Sequence, residues 1–152
     1  MRVSLRLAKD SDLELIMAWR SHPLVYQGFY SQKAPLTWAE HYTWWKSRHN
    51  WKQFIIQVTE GDDFTRAVGC VALGQLDSWA PQIGFYVGEI SLWGKGVVKQ
   101  AIRLALDWLR EKGYCMVWTT VKEDNFASIK VLEGLGFEHK GKGRPGEQRY
   151  ER

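Results

Sequence analysis

Residues 83–101, IGFYVGEISLWGKGVVKQA, constrain the fold more than any other stretch of the chain. The segment 83–87 is aromatic and β-branched, a composition that favours an extended, half-buried strand. From residue 97 to residue 110 the spacing becomes helical, with Val98, Ala101, Ala105 and Trp108 on one face and Ile102 and Leu109 beside it. Between strand and helix lies Trp93-Gly94-Lys95-Gly96. Glycines at a helix start let backbone N–H groups converge on an anion, and the helix dipole adds positive potential there. Lys95 and Lys99 add charge at the rim. The stretch reads as a diphosphate site following a strand, or as a tight turn whose glycines serve packing alone. It is neither a Walker loop, lacking Gly-Lys-Ser/Thr, nor a complete G-x-G-x-x-G.

Composition narrows the frame around this unit. With 152 residues, 45% hydrophobic and 25% charged, the chain suits one globular domain with a real core. No apolar run is long enough for a membrane span, and residues 1–8 alternate like a strand and lack the apolar block of a leader. Cys70 and Cys115 have no CxxC or His spacing and are expected as buried, reduced thiols in strand interiors, which suits a cytoplasmic setting; no metal site is expected. The net charge of +4 fits an anionic ligand without demanding nucleic acid.

In chain order, residues 3–7 alternate as a strand. Ser11 and Glu14 have capping-box spacing for a helix to Arg20, with Leu13, Ile16 and Met17 buried. His22-Pro23 ends it, and residues 24–35 read as irregular. Thr37 and Glu40 form a second capping box, for a helix carrying Trp38, His41, Trp44 and Trp45, aromatics that serve the core, a ligand wall, or both. Residues 53–59 and 66–76 pair as a hairpin across a turn at 60–63. Gly113 stops the glycine-opened helix, and residues 114–121 form a further strand. Asp124 or Asn125 caps a short helix with Ile129 and Leu132 inward, closed by Gly136. Residues 137–142 and 148–152 pair as a last hairpin over Arg144-Pro145-Gly146. The resulting order, βααβββαβαββ, is a mixed α/β domain.

Trp93-Gly94-Lys95-Gly96-Val97 together with the run from Asn125 to Phe137, NFASIKVLEGLGF, resembles the GNAT superfamily of acetyl-CoA-dependent N-acetyltransferases, and within it the branch of the ribosomal-protein N-terminal acetyltransferases. The element order agrees over essentially the whole chain. The resemblance implies a single α/β domain over residues 1–152, with a mostly antiparallel mixed sheet, a splayed central strand pair and about four helices. Two positions depart from the family pattern: Trp93 replaces the usual Gln or Arg, and Val98 replaces the third glycine or alanine.

By that resemblance acetyl-CoA is the co-substrate. Backbone N–H groups from Gly94, Lys95, Gly96, Val97 and Val98 hold the diphosphate, with Trp93 and Lys99 beside it. The pantetheine arm lies along Tyr86, Val87 and Gly88 like an added strand, with Asn125 opposite. An N–H near Val87 is the expected oxyanion donor, a contribution typically worth about 2.7–4 kcal/mol of barrier. The amine must arrive neutral, which needs a base or a water chain. Many relatives place a tyrosine acid where this chain has Leu132; Ser128 matches a serine that serves the thiolate in the resembled branch, and Glu147 matches a glutamate there, the candidate base, with Glu89 and Asp77 as alternatives. If Ser128→Ala lowers turnover, Leu132→Tyr is expected to restore part of the activity, provided the ring reaches the sulfur.

The acceptor is read from the amino-terminal third. Arg20, His22 and the segment 36–45 resemble enzymes that acetylate a 4-amino sugar carried on UDP, implying substrate contacts from Arg20, His22, Trp45 and Asp77. A small-molecule amine is therefore the expected partner, with a peptide amino terminus as the competing acceptor, a monomer or homodimer as the assembly, and neither membrane nor nucleic acid as partner. Two readings from other classes stand beside it. One is a non-catalytic coenzyme A-binding domain, which Leu132 and Val98 would suit; the other is a nucleic-acid module using the basic tail Lys140, Lys142, Arg144, Arg149 and Arg152.

Overall fold

The computed structural model describes residues 1–62 and 64–152. Seven strands form one sheet, β1 (Arg2–Leu7), β2 (Lys52–Glu60), β3 (Phe64–Gly74), β4 (Gln82–Val87), β5 (Trp118–Lys122), β6 (Glu138–Lys142) and β7 (Glu147–Glu151), in the order β1-β2-β3-β4-β5-β7-β6. Five helices accompany it: α1 (Leu13–Arg20), α2 (Pro23–Tyr26), α3 (Trp38–Lys46), α4 (Val97–Glu111) and α5 (Phe126–Gly134). This is the expected α/β architecture with one short helix added, since α2 forms inside the segment read as irregular. Pro23 fits its first turn, and the His22 ring accepts from the Leu24 N–H as its cap.

Period-two alternation divides the sheet into two faces. Phe54, Ile56 and Val58 of β2, Val71 and Leu73 of β3, and Ile83 and Val87 of β4 point to one side, where Ala101, Ile102 and Ala105 of α4 close the main core. Ile55 and Cys70 point to the other side and meet Ile16 and Trp19 of α1 in a second, smaller core. The Trp19 ring lies so close over Gly88 that a Cβ there would sit 2.1 Å from it, so this strand end accepts only glycine.

All pairs in the sheet are antiparallel except β4–β5, which share a single register pair, Gln82↔Trp118. Trp118 staples that end: its N–H donates to Pro81 O at 3.1 Å and its indole Nε1 to Ala80 O at 3.0 Å. Beyond this staple the two strands diverge, giving the splayed pair the sequence implied.

Several local expectations need correction. The strand expected at 114–121 begins only at Trp118, which leaves Cys115 exposed on the connection, while Cys70 is buried as expected. Ser11 and Glu14 do not cap α1; the Asp12 carboxylate instead accepts from the Lys9 N–H at 2.8 Å. The third buried position of α1 is Trp19, not Met17. The Thr37–Glu40 capping box does form. Gly61 and Asp62 lie in the expected hairpin turn, whose last member, Asp63, is outside the described residues.

Asp12 also receives both guanidinium nitrogens of Arg6, each at 2.8 Å, and this pair ties β1 to α1. Hydrogen bonding from Arg6 outweighs burial and holds the Asp12 carboxyl below its ordinary range. A carboxylate whose folded pKa is depressed contributes stability above its unfolded pKa, about 3.9, and loses it as pH falls through the folded value. Asp12→Asn should therefore cost about 1–3 kcal/mol at pH 7 and much less near pH 2. Urea denaturation of both proteins at the two pH values checks this.

Candidate active site

The divergence of β4 and β5 opens a groove of about 1450 Å³ that passes through the sheet from one side to the other. At one end lie Gly94, Gly96, Val97, Val98 and Lys99; at the other, Arg20, Phe29, Tyr30, Trp44, Gln53 and Cys70. Val87, Thr119, Thr120, Asn125, Ser128 and Glu147 line the middle.

The glycine end is built by backbone geometry. Gly94 and Gly96 have φ of 77° and 79°, left-handed values that favour glycine, and Gly96 caps α4. Gln100 is the first residue of α4 to donate within the helix, to Gly96 O at 3.1 Å, so the N–H groups of Val97, Val98 and Lys99 have no intrahelical acceptor. They present an anion cradle at a helix N-terminus, the chemistry a coenzyme A diphosphate needs. Lys95 departs from expectation, because its N–H donates to Leu92 O at 3.3 Å and its side chain is exposed outside the groove.

The β4 edge supplies the next element. Gly88 donates to Val68 O at 2.7 Å, and alternation of antiparallel bonding then directs the Tyr86 and Gly84 N–H groups to β3. The Val87 and Phe85 N–H groups consequently face the gap where β5 has moved away. Gly88, expected beside the arm, is instead occupied on both counts: Val68 takes its N–H and Trp19 covers it. Trp93 explains its own departure from the family pattern. Its indole Nε1 donates to the Val87 carbonyl at 2.8 Å, so the residue that opens the glycine loop also fixes the end of β4.

Across the gap, the Asn125 side chain accepts from the Ser128 N–H at 3.3 Å and caps α5, leaving the Ser128 side chain half-buried against the groove. Leu132 is fully buried in the main core, so a tyrosine there would overpack the core before reaching the groove. Glu147 is only 4% exposed yet lies in the groove. Burial favours its neutral form, but hydrogen bonds and charge from Arg144, with a further bond from Thr120, prevail and hold it below the ordinary glutamate range.

At the far end Arg20 lies 4.3 Å from the centroid of the Trp44 ring. The fully buried His41 donates from Nε2 to Leu13 O at 2.8 Å, which leaves Nδ1 as the acceptor facing the Arg20 guanidinium at 3.5 Å. Among the described residues Arg20 has no carboxylate partner, and burial lowers its pKa. Tyr86 donates to Cys70 Sγ at 3.3 Å; burial raises the phenol well above its usual value and pushes the Cys70 thiol up to about 11, so both stay protonated.

Three residues expected here are elsewhere. His22 caps α2, Trp45 donates to Asp10 Oδ1 at 2.8 Å outside the groove, and Asp77 is in an exposed turn. Trp44, one residue from Trp45, occupies the wall; helical spacing alone left both equally eligible. Tyr30 and Gln53 carried no sequence signal, since only the fold brings them to one end. The basic tail is not a free stripe: Lys140, Arg144 and Arg149 pair with Glu138, Glu147 and Glu151.

A family model described as an acetyltransferase (GNAT) domain matches residues 2–138. An uncharacterized protein of Methanocaldococcus jannaschii is 45% identical over 150 residues; the match takes in 99% of this chain but spans 31% of that relative's length. The crystal structure of a domain from the same organism, also 45% identical, superposes with a TM-score of 0.96 over 99% of this chain and 97% of the other. Aminoglycoside acetyltransferase AAC(6')-Ib in complex with coenzyme A and kanamycin is 17% identical, with a TM-score of 0.82 over 99% and 94% of the two chains. The ribosomal-protein-S5-alanine acetyltransferase of Vibrio fischeri is 18% identical, with a TM-score of 0.76 over 100% and 93%.

The cradle is testable at Gly96, where an added Cβ meets nothing within 4 Å and only the left-handed φ opposes substitution. Gly96→Ala should cost about 1–2 kcal/mol of stability and little coenzyme A affinity. Gly96→Asp should add a charge facing the phosphates and weaken coenzyme A binding at least about tenfold further, some 1.4 kcal/mol. Calorimetric titration of both variants separates backbone strain from anion repulsion.

Proposed function

The chain belongs to the acetyltransferase (GNAT) domain family, and from that membership we propose that it moves an acetyl group from acetyl-CoA to a primary amine on a nucleotide-linked amino sugar, by direct attack within a ternary complex. The observation that carries this reading is the groove itself, open at two ends, with an anion cradle at one and an arginine without a carboxylate partner at the other. The co-substrate supplies an activated thioester. The residues of the chain then divide the remaining work. Val97, Val98 and Lys99 hold the diphosphate by their N–H groups, and the free edge of β4 at Val87 and Phe85 pairs the pantetheine arm. The Val87 N–H serves as donor where negative charge develops on the acetyl oxygen. Ser128 offers its hydroxyl to the departing sulfur, and Glu147 receives the proton of the acceptor amine.

Arg20 and Trp44 support the acceptor class. A guanidinium held by His41 against an indole suits the phosphate and base of a nucleotide sugar, and repels a polycation. A peptide amino terminus is the second reading, favoured by the fold shared with the S5-alanine enzyme. Mass-spectrometric screening of nucleotide amino sugars, free amino sugars, polyamines and peptides with acetyl-CoA discriminates these acceptors. Turnover of the nucleotide sugar alone is the expected result. Coenzyme A binding without turnover of any class would instead indicate a non-catalytic domain.

Ser128→Ala tests the role of the hydroxyl. General-acid help is usually worth about 10²–10⁴-fold, and a serine acting on a thiolate belongs at or below the low end. The variant should lower kcat by up to about 10²-fold while leaving acetyl-CoA affinity unchanged. An unaltered kcat, with chemistry shown to limit the rate, would make water the proton source.

A further inference from the structure

The Glu147 carboxylate is buried on the groove, yet both of its oxygens are engaged by an exposed side chain. Arg144 Nε donates to Oε1 at 2.8 Å and the guanidinium NH2 group to Oε2 at 3.2 Å. The Arg144 side chain is 57% exposed against 4% for Glu147, so the cation covers the carboxylate from the solvent side. The same guanidinium lies 3.8 Å from the centroid of Tyr30, on the segment between α2 and α3. Arg144 thus bridges the β6–β7 turn to the acceptor-side wall, and Tyr30, Arg144 and Glu147 all line the groove.

Glu147 does not need Arg144's side chain to stay in place. Its Oε1 also accepts the Arg144 backbone N–H at 3.2 Å. The Glu147 N–H donates to Arg144 O at 2.8 Å, and the Gly143 N–H to Glu147 O at 3.1 Å, so the backbone closes the turn by itself. A guanidinium that is exposed, stacked on an aromatic ring and not required to anchor its partner is suited to leave and return.

We infer that Arg144 is a displaceable latch on Glu147, released when the ammonium group of the acceptor takes the guanidinium's place on the carboxylate. The inference rests on the reading of Glu147 as the group that receives the amine's proton. With Arg144 in place the carboxylate is stabilised as an anion and is a poor base. Once the guanidinium is gone, burial raises its proton affinity. One proton then passes from the ammonium nitrogen to a carboxylate oxygen: an N–H bond breaks, an O–H bond forms, and a neutral amine and a neutral acid remain. Only an acceptor that brings its own cation opens the latch, so Arg144 is a specificity-determining residue for amines and excludes neutral hydroxyl acceptors.

Carbodiimide coupling with ethylenediamine, read by peptide mass spectrometry, probes amine access to Glu147 directly, with exposed Glu138 as internal reference. In the wild-type protein Glu147 should react slowly. Arg144→Gln should accelerate it about five- to tenfold, the loss of a weak ion pair and a cation–π contact. Tyr30→Ala, which keeps the arginine and leaves the turn untouched, should give a smaller acceleration, and Tyr30→Phe none. Equal Glu147 reactivity in wild type and folded Arg144→Gln overturns the latch. So does Tyr30→Ala behaving as wild type. With the amine identified by the acceptor screen, Arg144→Gln should lower the acceptor KM several-fold and leave the acetyl-CoA KM unchanged, whereas a purely structural pair would lower kcat instead. Unaltered turnover in Glu147→Gln would retire Glu147 as proton acceptor whatever the labelling result, so the two failures are told apart.

Discussion

The structure depends on two neighbouring strands that fail to pair. β4 and β5 lie side by side in the centre of a seven-stranded sheet, yet share one register pair. Unpaired backbone groups in a sheet interior are costly, because each donor or acceptor removed from water needs a partner. The chain tolerates the gap by anchoring the strands elsewhere. Trp118 fixes their common start through Pro81 and Ala80, and Tyr114 reaches Leu76 O from the connection before β5. On the outer sides, β3 and β7 pair with β4 and β5 along most of their length. The opening is therefore a rigid consequence of the flanking ladders, and it leaves a strand-shaped vacancy with donors exposed at Val87 and Phe85.

Everything with chemical character is distributed along that vacancy by charge. Backbone N–H groups at the start of α4 provide positive potential without a buried cation. Arg20 provides it at the opposite end with a real one, kept in place by a neutral histidine and an indole rather than by a carboxylate. A carboxylate partner would have neutralised the site before any ligand arrived. Among the described residues the buried carboxylate of the groove is Glu147, and Arg144 covers it. The groove thus carries positive potential at the start of α4 and at Arg20, with the Glu147–Arg144 pair between them.

The glycine loop, the helix behind it and the strand before it were legible because each rests on local chemistry: left-handed glycines, a 3.6-residue period, a β-branched run. The capping box at Thr37 was legible for the same reason, whereas Ser11 and Glu14 had the right spacing but form no cap, and Asp12 before α1 turns its carboxylate to the Lys9 N–H and to Arg6 on β1. The acceptor end was only partly legible. Arg20 is on the groove, but the ring beside it is Trp44 and not Trp45, a choice made by how α3 rolls on α1 rather than by anything in the aromatic run. Tyr30, Gln53 and Cys70 lie on three separate elements, and no linear pattern joins them. Cys115 was misplaced because an apolar run before β5 looked like strand and is held as a connection by its tertiary contacts.

The two departures from the family pattern prove informative in different ways. Leu132 is not a damaged catalytic position but a core residue, fully buried among the apolar side chains that seat α5. Ser128 lies one turn before it on the same helix, at the capped first turn, and lines the groove that Leu132 does not. Trp93 replaces a polar side chain without losing a polar contact, because its one indole N–H is aimed at the Val87 carbonyl. That bond couples the two halves of the cofactor end, since a shift in the glycine loop pulls directly on the residue whose own N–H faces the gap. Position 93 therefore links the glycine loop to the end of β4, and an indole does so with fewer rotatable bonds to freeze than the glutamine or arginine it replaces.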